Sequence, residues 1–467
     1  MHKRIVACLL ALVFVVSATP AFAQTPTPPS GPVYIVQSGD TLWSISVRFS
    51  VSVTDIMAAN NMVSQDIFVG DQLIIPGYEG LSGTLITVPV PFGESLRSLS
   101  RQYRVDPALL IKLNHIVSPA ELYAGYNLIL LQQDEHPALT ARTVLAKGDT
   151  LLELAVRQNT DPWTIAQLNG LTEPQASLPG DLLYLPSGTS TAAANGIPSV
   201  LTSAEVDPLP ITQGATVQVR VTATQPVTLS GLLVDQTLHF FPQVDGSQVA
   251  LQGVHAMTDP GLYPLRIDTT LADGSVQSFE QMVLVNSGNY LTQTLTVDPS
   301  TIDPAVTGPE DAWLLSLVTP VTPEKYWQGV FQLPVDSGYC VSAAYGLRRN
   351  YNNGALYSFH TGIDFAAGCF NKHPLEVYAP ADGVVVFTGL KTVRGNATII
   401  DHGQGVYSGL YHQAEIYVSV GDHVTAGQLI GKIGDTGRVT GPNLHWDLWV
   451  NGIQVNPTQW LNETFPH

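Results

Sequence analysis

Three stretches of the chain repeat one pattern of apolar and polar positions: residues 38–61, 92–115 and 147–170. Each is headed by a glycine (Gly39, Gly93, Gly148) and closed, 21 residues later, by an asparagine (Asn60, Asn114, Asn169). A second glycine follows in each: Gly70, Gly125 and Gly180. Before each first glycine lies a short apolar strand, at residues 34–36, 86–90 and 143–145. Gly-Asp-Thr, or its variant, then offers a side-chain oxygen to cap a helix. Leu42, Ile45 and Phe49 fall at helical spacing, as do Leu151, Leu154 and Ala155. A second helix runs to the asparagine, a residue suited to a helix C-terminus. A closing strand follows at 72–75, 127–131 and 182–185. The pattern predicts three strand–helix–helix–strand units.

Beyond a small-residue linker at 187–196, the period changes to two. Val217, Val219 and Val221 share one strand face, as do Tyr263, Leu265 and Ile267. Ala272 to Ser275 reads as a hairpin turn before a strand over 276–285. Several short strands with turns predict a β-sandwich over 198–298, immunoglobulin-like in kind. Residues 299–325 read as a connector with one short helix, Pro309 near its start. At the far end, Leu444, Trp446, Leu448 and Val450 alternate with Asn443, His445 and Asp447. That is strand alternation, with His445 on the face turned from the core.

A chain of 467 residues exceeds one core and predicts several domains. Only 12% of residues are charged, against 40 Gly and 33 Pro, which favours strands and turns. The net charge of −18 offers no footprint for nucleic acid, which needs clustered Lys and Arg. A basic start (His2, Lys3, Arg4), an apolar run from Ile5 to Val16 and Ala21-Phe22-Ala23 predict a signal peptide over 1–23. The run is shorter than the ~20 apolar residues of a spanning helix, so the expectation is a secreted or cell-surface protein with no membrane span after cleavage. Residues 25–32 are a Pro-rich spacer. Cys340 and Cys369 form either one disulfide or two buried thiols; an oxidising compartment favours the disulfide.

Polar clusters concentrate in the last segment. His360 and Asp364, four apart, share a side on a helix or a strand. His445 follows in the alternating strand. His412 follows an Asp-His-Gly stretch whose own His402 reads as structural. Two histidines and one carboxylate suit zinc and leave a fourth position open for water or substrate. A neutral histidine beside the metal can take a proton or bond the developing charge. No His-Glu-x-x-His occurs, which excludes the helical zincin plan.

Two resemblances follow. The repeats, with their Gly-Asp-Thr, Asn and final Leu-x-x-Pro (Leu73 to Pro76, Leu183 to Pro186), resemble LysM modules over 33–77, 86–133 and 142–187. The resemblance implies binding of N-acetylglucosamine glycans, mainly peptidoglycan and chitin. The middle copy departs, with Glu94-Ser95 for Asp-Thr and Leu131 for the proline. Modules in series gain avidity. The segment 326–462 resembles the lysostaphin-type (LytM-like) zinc endopeptidases that cut peptide cross-links of peptidoglycan. The likeness is carried by "HTGIDFAA" (359–367 with Phe359), "VYAPADGVVVFTG", "IIDHGQGVYSGLYH", "IGDTGRVTGPNLHWDL" and "VNP". It implies a mostly antiparallel β domain, zinc bound by His360, Asp364 and His445, and His412 acting beside the metal. Asn443 stands where that family has a second catalytic histidine, and Leu410 where it has a tyrosine. The sequence thus predicts a multidomain, cell-wall-associated zinc endopeptidase. The alternative is a zinc-binding but weak or inactive wall protein that regulates other hydrolases.

Overall fold

In the computed structural model, the described residues are 31–118, 122–132, 138–145, 148–179, 181–188, 197–336, 339–366 and 376–467. The expected signal peptide, Gly180 and Cys369 lie outside them. Cys340 is disulfide-bonded. Two compact units divide after Ile86. Among the described residues, no helix is long and apolar enough to cross a membrane.

The first unit holds the first repeat: strand Val33–Ile35, helices Leu42–Phe49 and Val53–Ala59, and strand Gln72–Ile74, antiparallel to the first. Thr41 caps the opening helix, its Oγ1 accepting from Ser44 N at 3.0 Å. The other two repeats, in the second unit, follow the same plan, with Ser95 and Thr150 as caps. The asparagines do more than end a helix. Asn60 Nδ2 donates to Ile74 O (2.8 Å) and its Oδ1 accepts from Ile74 N (2.7 Å), locking the second helix to the last strand. Asn114 does this with Ile129, and Asn169 with Tyr184. The fixed spacing follows, since that position reaches both the N–H and the C=O of one residue in the closing strand.

The alternating segment forms two facing sheets. One orders Gln236–Leu238, Thr228–Leu233, Gly261–Thr270, Val276–Asn286 and Ile211–Thr212; the other, Phe241–Pro242, Gln248–Gly253, Thr216–Ala223 and Leu201–Asp207. Val217, Val219 and Val221 are buried in the core between them.

Two features of residues 291–325 differ from the sequence reading. Strand Thr292–Leu295, assigned there to the sandwich, pairs in parallel with Arg348–Tyr351 of the last segment. The connector helix is long, Pro304–Val318, with Asp303 as its cap and Pro304 in its first turn; Pro309 sits inside it. Pro304 occupies a position where its missing N–H costs nothing, a role the sequence reading gave to Pro309.

The last segment is built on one antiparallel sheet, ordered Cys340–Ala343, Gly362–Ala366, Asn443–Val450, Val406–Ile416, Gly395–Gly403, Gly383–Lys391 and His423–Val424. Strand Asn443–Val450 is central and buried on both faces, so its polar face does not meet solvent as alternation suggested. Leu444, Trp446, Leu448 and Val450 enter one core, while Trp449 packs with Leu314 and Val318 of the connector helix. The first core also takes Val249, Leu251 and Ala256 from the sandwich. Segment 326–462 therefore shares its core with residues before it.

Candidate metal centre

Register brings the site together. Asp364 pairs with His445 across one side of the central strand, and Tyr411 pairs with His445 across the other. His360 directly follows strand Leu356–Phe359, two residues before strand Gly362–Ala366, and turns back to Asp364. The result is a tight triangle. His360 Nε2 lies 3.0 Å from Asp364 Oδ1 and 3.0 Å from His445 Nδ1, which lies 2.8 Å from the same Oδ1.

The outer nitrogens decide what this triangle is. His360 Nδ1 donates to Ala344 O at 2.8 Å, since a carbonyl can only accept. His445 Nε2 is 2.6 Å from Asp447 Oδ1, and Asp447 is fully buried. With those nitrogens carrying the protons, His360 Nε2 and His445 Nδ1 present lone pairs to each other and to a carboxylate. Three acceptors facing one another repel unless a cation sits among them. Without a metal a proton fills that role: burial opposes charge on His445, but Asp447 and Asp364 outweigh it and lift His445 to about 9. Burial also opposes charge on Asp364, yet bonds to His360 and His445 hold it well below the usual carboxylate range. His360, Asp364 and His445 form the group that can hold a metal among the described residues. Two imidazoles and a carboxylate, each imidazole held by its far nitrogen, are the donors and outer contacts zinc favours.

His412 stands beside the triangle, its ring centre 6.3 Å from that of His445. Its backbone has φ 68°, in the left-handed region that non-glycine residues rarely adopt. Pairing between the strands slips there, three steps on one (Leu410 to Gln413) against two on the other (Asn396 to Thr398). This bulge re-aims the side chain. His412 Nδ1 donates to Thr436 O at 2.8 Å, which leaves Nε2 as its basic atom. Burial, then the neighbouring His445, push His412 down to about 4. Tyr411 stacks on His445 at 5.5 Å, whereas Leu410 is core. Asn443 also lines the cleft, its buried Oδ1 lacking a partner. His402 is structural, as read: it is fully buried between Asp382 O (2.7 Å) and Ser408 Oγ (2.9 Å).

Several contributors escaped the sequence reading. Asp447 was visible on the His445 face, two residues on, but carried no assigned role. Arg349 Nη2 reaches Asp364 Oδ2 at 3.5 Å. Buried Glu310, on the connector helix, accepts from Val393 N and Arg394 N, and Arg394 lies over the Tyr411 ring. The cleft, about 1490 Å³, is walled partly by that helix and by strand Thr292–Leu295.

Residues 358–457 match the model of Peptidase family M23, and residues 34–76, 90–130 and 144–186 match that of the LysM domain. The chain carries one M23 peptidase domain and three LysM domains. It is similar to the peptidoglycan DD-endopeptidase ShyA of Vibrio cholerae serotype O1, 40% identical over 130 residues, 28% of this chain and 29% of that protein. It is also similar to the DD-carboxypeptidase/endopeptidase Mpg of Neisseria meningitidis serogroup B, 43% identical over 101 residues, 22% of each. Among solved structures it resembles the catalytic domain of lysostaphin from Staphylococcus simulans, 30% identical, covering 27% of this chain and 93% of that one, with a TM-score of 0.23. The chain spans under a third of the length of these curated relatives.

Proposed function

We propose that this protein is a secreted, cell-wall-bound zinc endopeptidase that hydrolyses peptide cross-links of peptidoglycan. The observation that carries the reading is the convergence of His360 Nε2, His445 Nδ1 and Asp364 Oδ1, three acceptors that need a cation. The M23 match and the two relatives named for endopeptidase activity support a peptide bond as the target. The LysM matches support the wall as the surface that is held.

In this reading His360, Asp364 and His445 hold zinc. Zinc, when bound, supplies a Lewis acid that polarises the scissile carbonyl and lowers the pKa of water toward neutrality. His412 is neutral at physiological pH, so its Nε2 is free to take a proton from attacking water. The same nitrogen can then pass that proton to the departing amine. Asn443 offers an amide, which donates a hydrogen bond to developing charge on the carbonyl oxygen but moves no proton.

Asn443 also favours a second reading, a zinc-binding wall protein of weak or no activity that regulates other hydrolases. The full chain separates the two, since the peptidase segment shares a core with the sandwich. Zinc content is measured, and purified peptidoglycan is digested and assayed for new amine termini. Zinc with new termini supports the enzyme. Zinc without cleavage, restored by Asn443→His, establishes the second reading. A chain that binds no zinc sinks both.

A further inference from the structure

The three repeats align in sequence on their paired glycines, and their surfaces differ at the end that carries those glycines. In the first repeat, Val36 N donates to Asp71 O and Phe68 N to Asp71 Oδ2, both at 2.9 Å, which ties the two glycine-bearing loops into one end of the module. The third repeat has the same ties, Leu145 N to Asp181 O and Leu178 N to Asp181 Oδ2, again at 2.9 Å. At this end the position four after the first glycine and the position two before the second are large, apolar and exposed. They are Trp43 (71%) and Phe68 (72%) in the first repeat, and Leu152 (60%) and Leu178 (64%) in the third. Large apolar side chains recurring in solvent at equivalent places need an occupant more than isolated ones do.

The middle repeat lacks this end. The aspartate becomes Tyr126, and the two apolar positions become Arg97 and Tyr123. Its loops are instead occupied by the sandwich. Phe92 is buried edge-on against Phe279 at 5.3 Å. Gly93 N donates to Gln281 Oε1 at 2.6 Å, and Gln281 Nε2 to Glu94 O at 3.3 Å. Ala124 exchanges backbone bonds with strand Val276–Asn286, its N to Met282 O (2.9 Å) and its O from Leu284 N (3.1 Å). A Cβ on Gly125, at φ +85°, would lie 2.9 Å from Pro210 Cα; one on Gly39, Gly70 or Gly148 meets nothing within 4 Å. Glu94 is turned toward the third repeat, where it pairs with Arg142.

We infer that the repeats divide the work: the first and third hold glycan on this shared apolar end, and the middle one is a strut whose equivalent end is filled by the β-sandwich. The inference rests on the wall-binding part of the proposed function. Two weak sites on one chain bind a polymer through effective concentration, so losing either costs roughly 10²-fold in avidity.

The test uses the full chain, with His412→Ala in every protein to keep the wall intact, and measures binding to purified peptidoglycan. Trp43→Ser with Phe68→Ser, and separately Leu152→Ser with Leu178→Ser, are expected each to lose most of the affinity. Arg97→Ser is expected to stay within about twofold. Gly125→Val, which drives a side chain into Pro210, is expected to raise hydrogen exchange at Ala124 and Leu284 and leave wall affinity within about twofold. Trp43, Phe68, Leu152, Leu178 and Arg97 are exposed, so folding of their variants is checked by thermal melts against the His412→Ala parent. A loss in Arg97→Ser equal to the others, or binding retained when both outer repeats are altered, would overturn the division. A parent chain that does not bind wall at all would instead sink the wall-binding reading.

Discussion

Asp447 and His445 stand two residues apart on one strand, and Asp447 Oδ1 accepts from His445 Nε2 at 2.6 Å. This bond fixes which nitrogen of His445 faces Asp364. Removing it in Asp447→Ala should weaken zinc binding 10- to 100-fold. Asp447→Asn, which keeps an accepting oxygen, should fall between. Competition with a calibrated chelator reads both. Unchanged zinc affinity in Asp447→Ala would remove this residue from the centre.

His412 is placed by a bulge and bonded to the Thr436 carbonyl, not to the metal triangle. His412→Ala should therefore keep zinc at one equivalent and lower kcat by 10²- to 10⁴-fold, the usual range for a positioned proton-transfer group. Zinc lost along with activity would show that His412 is a ligand instead.

The parts of this centre differed in how far they could be read ahead. His360, Asp364 and His445 are marked as a set by the resemblance to the lysostaphin-type enzymes; alternation and a four-residue spacing fix only which side of the chain each takes. Glu310 and Arg394 did not. They meet across 84 positions, and nothing near either residue marks the contact. The repeats were legible through Gly39 and Asn60, yet the reason for Asn60 was not, since it lies in a bond to Ile74 on another element. Pro309 misled because a proline marks a helix start only when nothing earlier fills that place. Pro304 does, behind the Asp303 cap. Strand Thr292–Leu295 was assigned to the sandwich by chain order, while its partner comes later in the chain.

His402 carries a pH prediction. Burial pushes it down to about 4 from an ordinary value of 6.5. Between those values the unfolded chain binds a proton that the folded one does not, so stability falls as pH drops from 6.5 toward 4. The depression corresponds to about 3 kcal/mol. In metal-free full chain, denaturant unfolding followed by tryptophan fluorescence should show a steeper loss in the parent protein than in His402→Gln. His412 titrates in the same direction in both proteins and cancels in the comparison. Parallel slopes for the two would refute the assignment.

The repeat asparagines give the last prediction. Asn169 is buried, and its amide serves Ile165 O (2.9 Å), Tyr184 O (2.8 Å) and Tyr184 N (2.8 Å) at once. Asn169→Ala removes the partner of Tyr184 N and O, while Ile165 O keeps its bond from the backbone N of residue 169, and opens a small void, at about 1–3 kcal/mol for each buried group left unsatisfied. A module with one small core has little reserve against that. The third repeat should then unfold locally while the sandwich and peptidase sheet persist, because their cores do not include its residues. Hydrogen exchange should show lost protection at Ile165, Asn169 and Tyr184, with strands Thr216–Ala223 and Asn443–Val450 unchanged. Protection lost evenly along the chain would mean that the repeat and the peptidase fold as one cooperative body.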